Sequence, residues 1–208
     1  MQDWQENRKR ITPTRQRRFI VLSEIPQLGQ YVWMSAFDTK PQNIEQMLRS
    51  AGEKYPDISV QCVDLDRVPG SHYLLLATAN ALKSYRSKQP IAKSLGMELL
   101  LYISGNGQIN EALTRVGVTS ETNRTAALAV GSSSDQVSAA GNYLEQLFSQ
   151  HARDDLLDDW PPSRIQNVRS GFQIGDKELK AIIRTKEPIT SAIERLAIER
   201  SAMLALRN

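Results

Sequence analysis

The segment from Pro90 to Ile109, PIAKSLGMELLLYISGNGQI, constrains the fold more than any other part of the chain. Its thirteen residues 92–104 are mostly apolar, which is a long run for a β-strand. Leucine, methionine, alanine, glutamate and lysine dominate the run, so its composition favours a buried helix. Gly105 follows where helix ends commonly become left-handed, and 108–116 restarts a helical pattern. The segment therefore predicts two helices joined by a glycine corner, rather than a strand that enters a nucleotide-binding loop.

Shorter patterns on either side of this segment show strand and helix periodicity. Strands are predicted at 19–22, 31–36, 58–65 and 124–130. Helices are predicted at 41–50, 71–86, about 132–149, 176–183 and 188–206. The aspartate-rich segment 151–176, which contains two prolines, is predicted to be an irregular acidic insert. We therefore predict an α/β (α+β) fold with a single domain over 19–208, in which a small mixed β-sheet packs against several helices.

Composition restricts the class of protein further. The 208 residues are 40% hydrophobic, which is enough to build the core of one domain. No apolar stretch approaches the roughly 20 residues that cross a bilayer, and no apolar segment follows the charged N-terminus as it would in a secretory signal. The single cysteine, Cys62, excludes an internal disulfide. We expect a soluble, cytoplasmic protein without a membrane partner.

The positive charge of the chain is concentrated at its N-terminus. Residues 1–18 carry a net charge of +4 and the whole chain carries +3, so the remaining residues are close to neutral. Two interpretations of this basic arm stay open. It is either a solvated, flexible tail or an arm that binds RNA phosphates through counterion release.

Motifs for catalysis, metals or cofactors are not evident in the sequence. Neither His72 nor His151 has a second histidine or a cysteine at ligand spacing. The aspartates of 154–159 lack the glycine and the distal glutamate of a calcium loop. The Gly105–Gly107 pair lacks the third glycine of a dinucleotide site. We therefore expect a protein that is not an enzyme, with no catalytic residues, no metal site and no cofactor.

Two other features of the sequence indicate a binding function. The first is a group of basic residues around Tyr85, between the helix at 71–86 and the apolar helix. This group consists of Lys83, Arg86, Lys88 and Lys93. Cations beside an aromatic ring suit a nucleic-acid backbone and one stacked base. An ordinary solvated helix end is the alternative.

The second feature is the last helical segment, in which apolar residues fall on two sides. One stripe suits the domain's own core and contains Ile189, Ile193, Leu196, Met203 and Leu204. Ile198 and Leu206 fall outside that stripe, with Ala202 between them. Apolar groups on two sides of a terminal helix indicate a face for a partner, and a helix that is buried all round is the alternative.

Three stretches of the chain carry a family resemblance. The most specific is KQPIAKSLGMELLLYISGNGQINEALTRVGV, and weaker matches are VDLDRVPGSHYLLLATANAL and the terminal AIERLAIERSAMLAL. Together they resemble the kinase-binding small subunit of the KEOPS (EKC) complex, the PRPK-binding protein (TPRKB-like) family, in its archaeal type. The resemblance covers about residues 19–207. Gly107 departs from it, because the family usually has arginine or lysine there.

The resemblance implies a role in tRNA modification. It implies direct binding to the kinase/ATPase subunit, and through it to the catalytic subunit, in support of threonylcarbamoyladenosine formation next to the anticodon. It also implies binding of the 3′ CCA end of tRNA, with free N–H groups of the corner near a phosphate or ribose. The tRNA-binding residues are then Lys83, Arg86, Lys88, Lys93, Ser104, Gly105, Asn106, Gln108 and Ile109. The kinase-binding residues are Ile193, Ile198, Ala202 and Leu206.

Two other functions stay open at this point. One is a scaffold or regulator of the kinase without RNA binding, which the missing basic side chain at Gly107 suggests. The other, less favoured, is an enzyme that holds a small phosphorylated ligand at the Gly105–Gly107 turn.

Overall fold

The computed structural model describes residues 22–40, 42–87, 90–149 and 152–206. Within these ranges the strands are β1 (Leu22–Ile25), β2 (Gln30–Phe37), β3 (Ser59–Asp64) and β4 (Thr125–Gly131). The α-helices are α1 (Ile44–Lys54), α2 (Ser71–Arg86), α3 (Leu95–Ser104), α4 (Ile109–Val116), α5 (Ser134–Phe148), α6 (Pro162–Gly171), α7 (Asp176–Ile182) and α8 (Ile189–Leu204). Short 3₁₀ turns lie at Pro26–Leu28, Leu65–Arg67 and Asp154–Asp158.

The four described strands form one sheet in the order β1-β2-β4-β3, and each neighbouring pair is antiparallel. Because β2 and β3 both run antiparallel to β4, they are parallel to each other, as expected for strands joined by a helical crossover. They do not pair, since β4 lies between them. The predicted α+β fold is confirmed, and the sheet is antiparallel rather than mixed.

The sheet separates two hydrophobic layers, because successive side chains of a strand point to opposite faces. On β2, Val32 and Met34 join the larger core with α2, α3 and α8, whereas Trp33 and Phe37 join a smaller core with α1 and α5. The close approach of α5 depends on Gly141, since a Cβ at that position would lie 2.5 Å from the Trp33 ring. Helices thus cover both faces of the sheet.

Helices α2 and α3 pack antiparallel in the larger core. At one end, Ser84 Oγ donates a hydrogen bond of 2.7 Å to the Glu98 carboxylate. At the other end, the Tyr73 hydroxyl donates one of 2.7 Å to the carbonyl of Ile103. Glu98 is fully buried and also accepts a hydrogen bond of 2.7 Å from the backbone N–H of Ala92. Its carboxylate therefore holds the loop that precedes α3 against the end of α2.

Many predicted elements are confirmed with small shifts at their ends. Helix α2 occupies the predicted range 71–86. The buried helix predicted at 92–104 begins at Leu95, because Ser94 Oγ accepts a hydrogen bond from the N–H of Met97 and caps its first turn. Only Leu22 of the strand predicted at 19–22 lies among the described residues, and the basic arm at 1–18 lies outside them.

The segment 151–176 is not the irregular insert that its composition predicts. Its described part contains the Asp154–Asp158 turn and helix α6, and Leu157 is buried in the larger core. The carboxylate of Asp158 accepts hydrogen bonds from the N–H of Ser71 at 2.9 Å and from its hydroxyl at 2.8 Å. An aspartate of this segment therefore caps the N-terminus of α2.

Arg164, on α6, holds the same segment to the core. Its side chain is fully buried and forms no salt bridge with a carboxylate in the described part of the chain. It donates hydrogen bonds of 2.5 to 3.0 Å to the carbonyls of Val68, Leu156, Leu157 and Asp159. Burial lowers the pKa of the guanidinium to about 10, which still leaves it charged at neutral pH.

We expect Arg164→Lys to lower the free energy of unfolding by about 2 kcal/mol or more, because three ammonium donors leave at least one buried carbonyl unsatisfied. Urea unfolding at pH 7, followed by circular dichroism, measures the loss. Arg153→Lys is the matched control, since Arg153 is half-exposed and its side chain pairs with Asp155 at the surface. Its effect should be small beside that of Arg164→Lys, because an exposed ion pair contributes little to stability. Equal losses in the two variants would contradict this role of Arg164.

Candidate partner-binding surface

The corner between α3 and α4, residues 104–109, closes the C-terminal end of α3. Gly105 has a left-handed backbone with a φ of +63°. Its N–H donates to the carbonyl of Tyr102 at 3.2 Å, and the N–H of Asn106 donates to that of Leu101 at 3.1 Å. These two bonds form a Schellman motif, which favours glycine after a helix. The predicted glycine corner is confirmed.

Most backbone N–H groups of the corner are used within it. The N–H groups of Gly105 and Asn106 belong to the Schellman motif, and that of Gln108 donates to Asn106 Oδ1 at 2.9 Å. The expectation that the corner offers free N–H groups to a phosphate or ribose is therefore wrong for these three groups. This also removes most of the basis for a small phosphorylated ligand at the Gly105–Gly107 turn, because the corner is a capped helix end.

Three other helices satisfy the last carbonyls of α3. The side chain of Tyr73 on α2 donates to the carbonyl of Ile103 at 2.7 Å. The side chain of Arg115 on α4 donates to that of Ser104 at 2.8 Å, and the side chain of Ser201 on α8 donates to that of Tyr102 at 2.9 Å. Ser104 itself is fully buried, and its hydroxyl donates to the carbonyl of Leu101 at 2.8 Å. Its side chain is therefore not at the surface, contrary to its predicted place in a tRNA site.

The corner lies directly against the end of α8. A Cβ on Gly105 would lie 3.6 Å from the backbone N of Ser201, and a Cβ on Gly107 would lie 3.4 Å from Leu204 Cδ1. The corner and the terminal helix are far apart in the sequence, where they carry separate predictions for tRNA and for the kinase. In the structure they are neighbours.

Large apolar side chains are exposed on both helices that flank this contact. Ile109 and Leu113, on α4, are 42% and 46% exposed. Met203 and Leu206, at the end of α8 and just after it, are 44% and 78% exposed. We call these four residues the α4–α8 surface. The other exposed large hydrophobic side chains of the described residues lie elsewhere, at Leu22, Tyr85, Ile183 and Ile189.

Sequence patterns do not identify most of the α4–α8 surface. Ile109 and Leu113 share the apolar stripe of α4 with Ala112 and Val116, which are fully buried. Met203 belongs to the stripe that is predicted to face the core. Periodicity shows that a residue lies on an apolar face, but both the buried and the exposed part of that face are apolar. Of the four, only Leu206 is predicted to bind the kinase, and Ile109 is predicted only as a tRNA-binding residue.

Two of the four residues predicted to bind the kinase are accessible. Ile193 is fully buried in the larger core, so it is not on a partner face as predicted. Ile198 is half-buried and packs against the same core. Ala202 and Leu206 are exposed. The accessible residues of the predicted kinase face therefore lie at the C-terminal end of α8.

Ion pairs stiffen α8 and its attachment. Arg200 Nη2 lies 2.8 Å from a carboxylate oxygen of Glu178 on α7. Arg195 pairs with Glu187, which precedes the helix. Hydrogen bonding to Arg195 lowers the pKa of Glu187 to about 2, so this carboxylate is ionised at neutral pH. The exposed end of α8 thus belongs to a helix that ion pairs hold both to α7 and to the segment that precedes it.

The basic cluster lies at the opposite end of the α2–α3 pair. Lys83, Arg86 and Lys93 are exposed, and Tyr85, which is 37% exposed, donates to the carbonyl of Lys93 at 3.5 Å. Lys88 lies outside the described residues. The ten residues of α3 place the corner about 15 Å away. The structure therefore does not bring the two parts of the predicted tRNA site into one pocket.

Few groups in the described ranges suit catalysis. They include no cluster of three or more His, Cys, Asp or Glu side chains that could hold a metal ion. Cys62 is buried, and desolvation raises the pKa of its thiol to about 12, which disfavours the reactive thiolate. In these ranges, no helix combines the length and the apolar character needed to cross a bilayer.

Comparison with known protein families gives a match. A family model described as "Kinase binding protein CGI-121" matches residues 39–204. The matched range begins just after β2 and ends with the last residue of α8, so it includes the corner, the basic cluster and both helices of the α4–α8 surface. A search of the curated proteins finds no match.

We expect Gly105→Ala to lower the free energy of unfolding by about 1 kcal/mol, because a Cβ disfavours the left-handed backbone. Gly52→Ala is the matched control. Gly52 lies inside α1 with open space around it, so alanine there should raise stability by about 0.5 to 1 kcal/mol. Urea unfolding of both variants measures the two changes. Stabilisation by Gly105→Ala would contradict the role of Gly105 in the Schellman motif.

Proposed function

The chain belongs to the CGI-121 family of kinase-binding proteins, and from this membership we propose that it binds a protein kinase as a non-catalytic subunit of a KEOPS-type complex. The α4–α8 surface supports this proposal best. It combines exposed apolar side chains of α4 with those at the end of α8, and the corner that precedes α4 lies against α8. Apolar anchors that lose water on association are what the centre of a protein–protein interface requires.

The attachment of this surface also supports a role in docking. Ser201 bonds α8 to the end of α3, and Arg200 bonds it to α7. The Schellman motif closes the corner that precedes α4. Anchors on rigid elements lose less conformational entropy when they bind, which favours affinity. The proposed kinase contact is therefore made by Met203 and Leu206 together with Ile109 and Leu113.

We expect Met203→Glu with Leu206→Glu to weaken kinase binding at least tenfold, because two carboxylates would lose water against an apolar partner. Isothermal titration calorimetry with the purified kinase subunit measures the affinity. Circular dichroism checks that the variant is folded.

The matched control for the kinase contact is Leu22→Glu with Ile183→Glu. These side chains are 42% and 41% exposed and lie outside the α4–α8 surface. The same chemical change there should alter affinity less than twofold. Unchanged binding of the Met203/Leu206 variant, or an equal loss in the control, would place the kinase contact elsewhere.

The second proposed function is tRNA binding, in support of threonylcarbamoyladenosine formation next to the anticodon. Besides the family resemblance, the basic cluster supports it. Within the described residues, the ammonium groups of Lys83 and Lys93 have no hydrogen-bond or ion-pair partner, and the partly exposed ring of Tyr85 lies beside Lys93. Free cations beside an exposed ring suit a phosphate backbone and a stacked base. At the corner, Gln108 is exposed and would contact RNA, whereas Ile109 belongs to the α4–α8 surface.

We expect Lys83→Glu with Lys93→Glu to weaken tRNA binding at least tenfold at low salt, because two phosphate contacts are lost and two repulsions added. Fluorescence anisotropy measures binding of full-length tRNA and of tRNA without its CCA end. Lys177→Glu with Lys180→Glu changes the net charge equally on the exposed side of α7 and should have an effect below threefold. Equal affinities of the cluster variant and the parent chain would favour a kinase-binding scaffold without RNA contact.

A further inference from the structure

A polar cleft of about 340 Å³ lies between α4, α6 and the Leu65–Arg67 turn. It is separate from the α4–α8 surface and from the basic cluster, because none of the residues of those two features line it. Two arginines, Arg67 and Arg115, line the cleft, with Asn167 and Ser170 on the α6 side. Glu111 is the one acidic residue among the lining residues, so the lining carries a net positive charge.

Arg115 is a half-buried cation that no described carboxylate neutralises at salt-bridge distance. Its Nη1 donates to the carbonyl of Ser104 at 2.8 Å, and its guanidinium lies 5.7 Å from the centroid of the Phe172 ring. Burial lowers the pKa of the group below its usual range. Its Nε and Nη2 have no hydrogen-bond partner within the described ranges. A bound anion would offset the desolvation of this charge.

Arg67 supplies a second guanidinium with a fixed orientation. Its Nη1 donates to the carbonyl of Thr114 at 2.8 Å, and its Nε lies 3.4 Å from Asp64 Oδ2. These contacts leave its Nη2 without a partner among the residues that the structure describes. The carbonyl of Thr114 thus holds Arg67 against the same helix that carries Arg115.

Helix α6 contributes neutral donors on the other side of the cleft. Asn167 and Ser170 are three residues apart, so their side chains lie on one face of the helix. Both are exposed, and in the described part of the chain neither side chain has a hydrogen-bond partner. An amide and a hydroxyl thus line the same cleft as Arg67 and Arg115, whose guanidinium groups have unused N–H donors.

We propose that this cleft binds the phosphate group of a small phosphorylated ligand. A planar guanidinium matches two phosphate oxygens at once, and the amide and hydroxyl donors can bond the remaining oxygens. The volume is at the lower end of the range for ligand sites, which limits the ligand to about the size of a mononucleotide. This inference does not rest on the proposed kinase or tRNA binding, since it uses other residues.

Calorimetry on the full chain, in a low-salt buffer without phosphate or sulfate, tests the proposal with three probes: inorganic phosphate, adenosine 5′-monophosphate and adenosine. We expect saturable binding of the two phosphorylated probes and at least tenfold weaker binding of adenosine. Glu111→Gln should raise the affinity for adenosine 5′-monophosphate, because it removes the one carboxylate of the lining.

The main variant is Asn167→Asp with Ser170→Asp, which places two negative charges at exposed positions and leaves both arginines intact. We expect it to weaken binding of adenosine 5′-monophosphate at least tenfold. Ser163→Asp with Gln166→Asp adds equal charge at two other exposed positions of α6 and should change affinity less than threefold. Arg115→Met should abolish binding, but Arg115 also caps α3, so thermal unfolding must accompany that measurement.

Three results would overturn the proposal. The first is the absence of saturable binding of either phosphorylated probe at millimolar concentration. The second is equal affinity of the Asn167/Ser170 variant and the parent chain. The third is binding of a short single-stranded RNA through Arg115 without any binding of the small probes, which would make the cleft part of an RNA surface.

Discussion

Because α3 is buried, the carbonyls at its C-terminal end must form hydrogen bonds within the protein, and this requirement constrains the neighbouring helices. The residues from Leu99 to Ser104 have almost no exposed surface, so water cannot hydrate the carbonyls at the C-terminus of the helix. Each unsatisfied buried carbonyl would cost about 1 to 3 kcal/mol. Side chains of α2, α4 and α8 each supply one donor. The polar end of one buried helix thereby determines where three other helices lie.

The two surfaces that we propose for partners are the two ends of this helix. At the C-terminal end, the Schellman motif and Ser201 place the α4–α8 surface around the corner. At the N-terminal end, the buried carboxylate of Glu98 bonds Ser84 and the N–H of Ala92, and so positions the loop that carries Lys93. The lining of the phosphate cleft is connected to the same helix, because Arg115 bonds both the corner and, in our proposal, the ligand.

The errors of the sequence predictions have a common cause. Its aspartate content predicts that the segment 151–176 is irregular, but Asp158 caps α2, and Arg164 bonds three carbonyls of the segment and one outside it. Ile193 was expected on a partner face, but α8 buries it against the core. The structure of 151–176 depends on hydrogen bonds to residues that are distant in the sequence. The place of Ile193 depends on which part of an apolar stripe is buried. Composition and periodicity give no information about either property.

Local sequence patterns are sufficient to predict the α+β class, most of the strands and helices, the glycine corner and the resemblance to a kinase-binding family. These properties depend on local periodicity, on the backbone freedom of single residues such as Gly105, and on contiguous motifs. Tertiary contacts alone establish that Ile109 and Met203 are exposed, that most corner N–H groups are already bonded, and that Arg115 lines a cleft with Arg67. Exposure, hydrogen bonding and electrostatic environment depend on atoms that the fold brings together from distant parts of the chain.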